Sequence, residues 1–189
     1  MSEQHNEIIN VIDREKIRDC IARLARGEDR RCEAELVACF WPDAQLDFGI
    51  FAGTLKEYLH WVLPGSPAVV LTQHILGQSL VELSSDNPTN ASSDNSRVET
   101  HVMSYHRIDS GQDGADRFRD IVIGGRYLDA LEKRGNEWRI YQRTMLYDWH
   151  QDWGAAADWS QGLMGQSFSG SHFIGKTTDD YSKTFFGRA

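Results

Sequence analysis

The sequence predicts an α+β fold in which helices come first and an antiparallel sheet follows. Two features carry this. Apolar residues recur at helical spacing from Asp13 onward, and after Pro67 the chain turns to long runs rich in Val, Ile, Thr and aromatic residues with turn-forming residues between them. The 189 residues are enough for one domain with its own core, read as 1–150, plus a C-terminal extension, 151–189.

From Asp13, DREKIRDCIARLARGEDRR sets Ile17, Cys20, Ile21 and Leu24 at intervals of three and four, an amphipathic helix with Asp13 as its N-cap and a sheet as its partner. A second helix, about Cys32 to Phe40, carries Leu36, Val37 and Phe40 on one side and stops at Pro42, which cannot continue it. WPDAQLDFGIFAGT follows as a short strand with glycine turns. Thr54 opens a third helix with the capping-box spacing Thr54-x-x-Glu57, and Pro64-Gly65 ends it.

Long antiparallel strands are expected over about Val69 to Leu83, Arg97 to Ile108, Phe118 to Lys133 and Trp138 to Trp149. SSDNPTNASSDNS reads as an exposed, mobile loop and Arg134-Gly135-Asn136-Glu137 as a hairpin turn. The extension carries Trp153, Trp159, Phe168, Phe173, Tyr181, Phe185 and Phe186 among Gly, Ser and Asp, so it is expected to pack on its own domain or on a neighbouring subunit.

Composition narrows the function. The chain is 40% hydrophobic and 25% charged with no apolar run near the roughly 18 residues of a membrane span, so no membrane is expected as a partner. MSEQHNEIINVI lacks the basic start and apolar block of a secretory signal, which points to the cytoplasm and makes Asn90-Ala91-Ser92 a chance match to a glycosylation acceptor. A net charge of −8 argues against a nucleic-acid partner and leaves small-molecule chemistry as the default. Cys20, Cys32 and Cys39 form no CxxC pair, so neither a disulfide framework nor a zinc site is suggested.

In LTQHILG a single ionisable ring, His74, sits among apolar neighbours, either as a satisfied core residue or as a catalytic group in an apolar pocket. Three segments, this one among them, bear on the choice: LARGEDRRCEAELVACFWPDAQLDFGIFAG, TQHILG and GGRYLDALEKRGNEWRIYQRTM. Together they resemble the SnoaL-like branch of the nuclear-transport-factor-2-like superfamily over roughly Asp13 to Trp149. The resemblance is carried by Asp29 near the end of the first helix, Phe40-x-x-Asp43-Ala44, Gly53 before the third helix, Tyr127-x-Asp129 and Trp138-x-Ile140. It implies an α+β cone, with N-terminal helices packed in a strongly curved antiparallel sheet and a pocket between them.

Within that superfamily the pattern is most similar to lindane dehydrochlorinase, scytalone dehydratase and the bile-acid dehydratases. There an aspartate from the first helix orients a strand histidine that removes a proton from the substrate. Asp29 and His74 hold the matching positions, 45 residues apart (74 − 29), and Arg143 matches an arginine that stabilises the departing group in the dehydrochlorinase. Two positions depart from the pattern: Glu28 stands where scytalone dehydratase has a tyrosine, and Leu24 where the dehydrochlorinase has a lysine. Neither substrate therefore carries over.

The implied activity is that of a cofactor-independent lyase of the dehydratase type, or an isomerase, acting on a small hydrophobic, cyclic substrate. Histidine is suited to the base role because its pKa lies near neutrality, and a carboxylate on one ring nitrogen fixes the tautomer that presents the other. The alternative is a non-catalytic binding or structural subunit of the same fold, like the small subunit of ring-hydroxylating dioxygenases. Asp29 could instead pair with Arg30 or Arg31, and Arg143 with Asp43, Asp47 or Asp129.

His101 and His106 are five apart and face opposite sides of a regular strand, with His106 preferred as the accessory donor. Trp41, Phe48, Phe51 and Trp61 are expected at the mouth or wall, with Tyr127 and Tyr141 able to aim hydroxyls at a substrate oxygen. No metal-ligand spacing includes His74, and no metal is expected. Homo-oligomerisation is expected because one sheet face needs covering; the resemblance favours a trimer, with a dimer as the alternative.

Overall fold

A computed structural model describes residues 3–86, 94–111, 113, 114 and 117–187. The elements are, in order, α1 (Glu3–Asp29), α2 (Glu33–Cys39), β1 (Phe40–Asp47), β2 (Ala52–Thr54), α3 (Leu55–Val62), β3 (Val69–Leu83), β4 (Asn95–Asp109), β5 (Phe118–Arg134), β6 (Glu137–Ala155), β7 (Gly162–Leu163), β8 (Gln166–Ser167) and α4 (Tyr181–Phe185). This is the α+β arrangement expected, with the N-terminal helices laid against one large curved sheet.

The apolar stripe of α1 behaves as its spacing requires: Ile17, Ile21 and Leu24 are at most 2% exposed. The helix nevertheless begins well before Asp13. That residue is no N-cap; it is buried, and its carboxylate accepts two hydrogen bonds from Nζ of Lys133, at 2.9 and 3.2 Å. The added turns bring no core face with them, since Ile8, Val11 and Ile12 stay exposed.

Helix α2 ends at Cys39 rather than at Pro42, because Phe40 is already extended (φ −115°, ψ 150°) and the proline lies inside β1. Pairing between β1 and β6 jumps from Phe40 to Gln45, so the missing proline N–H falls in a gap of the ladder. Helix α3 has the capping box its sequence spells: Glu57 N–H donates to Thr54 Oγ1, and Thr54 N–H donates to Glu57 Oε2 at 2.8 Å.

The main sheet has the order β2-β1-β6-β5-β4-β3. All its pairs are antiparallel except β1 with β6, which run parallel and make the sheet mixed. Irregular register at Leu76/Ser79, Gly124/Gly125 and Ala130/Leu131 bends the long strands, as bulges do. The concave face closes over α1, α2 and α3 around a core that includes Ile17, Leu36, Phe40, Leu131 and Ile140. Arg134 and Glu137 pair directly across the predicted hairpin turn. Within the polar loop between β3 and β4, residues 87–93, which include Asn90-Ala91-Ser92, lie outside the described residues.

Strand β6 runs past Trp149 to Ala155, and the remaining chain folds back on the end of α1. Arg26 donates to Ser182 Oγ at 3.2 Å, Arg30 donates to the Lys176 carbonyl at 2.8 Å, and the Arg107 guanidinium sits over the Trp159 ring. Phe173, Tyr181, Phe185 and Phe186 remain more than half exposed on the single chain. No helix among the described residues is long and apolar enough to cross a membrane.

The irregularity at Gly124/Gly125 makes a testable demand. A Cβ on Gly125 would sit 2.1 Å from the Leu146 carbonyl oxygen, which is backbone and cannot swing away. Gly125→Ala is expected to cost about 1–3 kcal/mol, as overpacking does, and to lower the melting temperature measured by circular dichroism. An unchanged melting temperature would show that the strand relaxes there without penalty.

Candidate active site

Alternation along β3 and β4 places Thr72 and His74 of one strand beside His106 and Ser104 of the other, all on the concave face. The last turn of α1 comes down on this patch and presents Glu28 and Asp29. Glu28, Thr72, His74, Ser104 and His106 bound a cavity of about 350 Å³, with Phe48, Trp61, Ile123, Tyr127 and Met145 as apolar wall and Asp29 behind His74.

Asp29 makes three contacts with one residue. Both of its carboxylate oxygens accept from the backbone N–H of His74, at 3.0 and 2.9 Å, and Oδ1 accepts from the ring Nδ1 at 2.7 Å. The proton on Nδ1 is thereby fixed, and Nε2 is left as the basic nitrogen of the neutral ring. His74 lines the cavity, with its Nε2 3.6 Å from Oε2 of Glu28.

Burial lowers the affinity of His74 for a proton, but the Asp29 hydrogen bond and the charges of Glu28 and Asp29 outweigh it, so its pKa is raised. His106 goes the other way. Burial, and then the charge of His74, push it down to about 4, so that it is neutral near pH 7. Its ring meets that of His74 edge-on at 6.3 Å.

Beneath the cavity runs a buried polar web. The Tyr58 hydroxyl donates to Glu28 Oε1 at 2.5 Å, and burial followed by the Glu28 charge raises the phenol's pKa, so it remains a donor. Arg143 forks onto both oxygens of Asp129 at 2.7 and 2.8 Å, lies 3.9 Å from Glu28 Oε1, and packs its guanidinium 3.9 Å from the centre of the Tyr127 ring.

The sequence reading places Arg143 across the pocket, against the departing group. The structure places it behind the wall, 1% exposed, where Asp129 takes its fork and Tyr127 stands between it and the cavity. Trp41 and Tyr141 are also elsewhere. The Trp41 indole donates to the Glu132 carbonyl and is flanked by Arg134 and Arg139, while the Tyr141 hydroxyl accepts from Arg97. Phe51 stacks on Trp61, supporting the wall from outside. Phe48, Trp61, His106 and Tyr127 do line the cavity, and His101 points away toward Glu99.

Sequence reasoning passed over Tyr58, Thr72, Ser104 and Tyr147 as cavity residues and noted Glu28 only as a departure from the dehydratase pattern. A signal for Glu28 was present: it continues the stripe Ile17, Ile21, Leu24 at the next helical interval, an acidic residue on an apolar face. Among the described residues no group of three or more His, Cys, Asp or Glu side chains is arranged to hold a metal ion.

The description of the SnoaL-like domain matches residues 10–144. The chain belongs to the SnoaL-like domain family. Solved structures with the same fold include the type-3 hexachlorocyclohexane dehydrochlorinase of Novosphingobium barchaimii, at 18% identity and a TM-score of 0.63 over 87% of this chain and 99% of that one. A scytalone dehydratase-like protein of Novosphingobium aromaticivorans aligns at 18% identity and a TM-score of 0.61, covering 84% of this chain and 97% of that one. A Nostoc punctiforme protein of unknown function with a cystatin-like fold aligns at 14% identity and a TM-score of 0.52 over 72% and 92% of the two chains. At these identities the likeness to this SnoaL-like chain is one of fold. Comparison with curated protein sequences gave no match.

The paired carboxylates make His74 the group to titrate. Its Cε1 proton resonance is expected to titrate with a midpoint above the ordinary value of about 6.5, and Asp29→Asn should lower that midpoint. Because the folded value is the raised one, protonated His74 stabilises the fold below about pH 6.5, and this contribution fades as pH rises through the folded pKa. A midpoint at or below the ordinary value would mean that burial outweighs both carboxylates.

Proposed function

We propose that the protein is a cofactor-independent lyase of the dehydratase type, or an isomerase, that abstracts a proton from a small hydrophobic, cyclic substrate with His74 as base. The observation that carries this reading is the 2.7 Å contact between Asp29 and His74 Nδ1, on a histidine that lines an open, mostly apolar cavity. Family membership and fold neighbours named as a dehydrochlorinase and as scytalone dehydratase-like support the same class.

Asp29 holds the tautomer in which Nε2 is free to accept a proton, and it stabilises the imidazolium that results. Phe48, Trp61, Ile123 and Met145 exclude water around a ring-shaped ligand. His106, neutral near pH 7, offers the ligand a hydrogen-bonding group that does not compete as a base. Arg143 is a positioning residue here, acting through Glu28 and Tyr127 rather than on the departing group. A purely structural subunit, the alternative, calls for a cavity filled by side chains, and this cavity is open.

His74→Ala is expected to lower turnover by about 10²- to 10⁴-fold, the usual worth of a general base, while circular dichroism shows the fold retained, at a lower melting temperature because the ring's hydrogen bond to Asp29 is lost. Wild-type kcat/KM should rise with pH through the raised pKa of His74, because only the unprotonated ring is a base. Activity that survives His74→Ala would overturn the assignment.

Self-association is part of the same reading. Ile75, Leu80, Met103 and Leu128 lie on the outer face of the sheet, between 36% and 62% exposed, a surface that a second copy would cover. Sedimentation velocity should show a trimer, with a dimer as the alternative. A monomer at micromolar concentration would remove oligomerisation from the proposal.

A further inference from the structure

Proton abstraction by His74 leaves a buried carboxylate on the cavity wall without a task. Glu28 is 7% exposed, and its two oxygens have different surroundings. Oε1 accepts from the Tyr58 hydroxyl at 2.5 Å and lies 3.9 Å from an Arg143 nitrogen. Oε2 is buried with no hydrogen-bond partner, 3.6 Å from Nε2 of His74. A buried carboxylate oxygen without a donor is costly to maintain, and the structure supplies none; a donor or a transferable proton from a ligand would fill the place.

We propose that Glu28 is a second catalytic residue, relaying the proton taken by His74 to the oxygen of a departing hydroxyl, and that the substrate is accordingly a cyclic hydroxy-carbonyl compound that loses water. This inference rests on the base role of His74. A neighbouring carbonyl brings a C–H proton within reach of an imidazole. Nε2 takes that proton, and the C–H electron pair moves toward the carbonyl and then into the new C=C bond. The proton on Nε2 passes to Oε2 of Glu28 and from there to the departing oxygen, the C–O bond breaks with its electron pair on oxygen, and water leaves. Neutral His74 and the Glu28 carboxylate are both regenerated, so no further reactant is needed.

The same geometry disfavours a halide. A departing chloride takes no proton, and a carboxylate beside the base would repel the developing anion. Tyr58 and Arg143 hold Oε1, which leaves Oε2 as the oxygen that can exchange protons with Nε2.

The test uses 3-hydroxycyclohexanone in D₂O with the full-length protein, following deuterium entry beside the carbonyl by NMR and cyclohexenone formation by ultraviolet absorbance. Glu28→Gln keeps an acceptor for Tyr58. It is expected to slow water loss by about a hundredfold or more, the usual worth of a general acid, while slowing deuterium exchange by less than about tenfold. If that variant does not fold, Glu28→Met combined with Tyr58→Phe removes both partners of the buried hydrogen bond and serves in its place.

Equal slowing of both reactions, or of neither, would overturn the relay, as would wild-type protein that exchanges deuterium without forming the enone. No exchange by the wild type would overturn the base role of His74, and the relay would fall with it.

Discussion

The hydrogen bonds from His74 to Asp29 couple the helical and sheet halves of the molecule. Strand β3 is the edge of the sheet and pairs only with β4, so its outward N–H groups have no strand to receive them. Asp29 meets one of these groups with both carboxylate oxygens and closes the edge at His74. Because the same carboxylate also holds the ring nitrogen, the register of helix on sheet and the tautomer of the imidazole are set together. A shift of α1 by one residue would break both at once.

The cost of this arrangement is charge. Glu28, Asp29 and Asp129 share the interior around the site with one buried guanidinium, Arg143, while a fourth buried carboxylate, Asp13, is held apart by Lys133; three carboxyl groups thus face one arginine there. Two of the three also stand at the C-terminal turn of α1, where the helix dipole favours cations. An imbalance of this kind attracts a proton, and His74 is the group placed to take it. The site thus stores affinity for the proton it is proposed to remove, and Asp129 keeps Arg143 from cancelling that affinity. Tyr58 and Tyr127 complete the insulation, one as donor to Glu28 and the other as an aromatic lid on Arg143.

The sheet was legible in the sequence because two-residue alternation survives burial on one face: β3 runs from Val69 to Leu83 as read, and β4 and β5 differ from the reading by at most two residues at either end. The start of α1 was missed although Ile8, Ile9, Val11 and Ile12 recur at helical spacing ahead of Asp13, because Asp13 looks like a cap until Lys133 arrives from far along the chain. Pro42 misled because a proline in a strand is tolerated where the ladder has a gap, and the gap depends on a partner strand about a hundred residues away. Trp41 failed as a wall residue for a simpler reason. Its neighbour Phe40 takes the inward position, and alternation turns the indole out toward Glu132.

The cluster GEDRR contains two acids and two bases side by side, and mutual neutralisation is the ordinary outcome for such a run. Here the backbone separates them. Arg31 has a positive φ of 46°, which ends α1 and turns the chain, so that Glu28 and Asp29 point into the core from the last helical turn while the two arginines leave it. Arg31 then donates to the carbonyls of Pro64 and Val69, and Arg30 donates to the Lys176 carbonyl of the C-terminal segment. Each arginine is occupied by backbone oxygens, Arg30 on the tail and Arg31 where it lines the cavity, and neither pairs with the carboxylates of Glu28 and Asp29. The tail therefore matters to the site without lining it: by engaging Arg30 it helps keep the carboxylates of Glu28 and Asp29 free for His74.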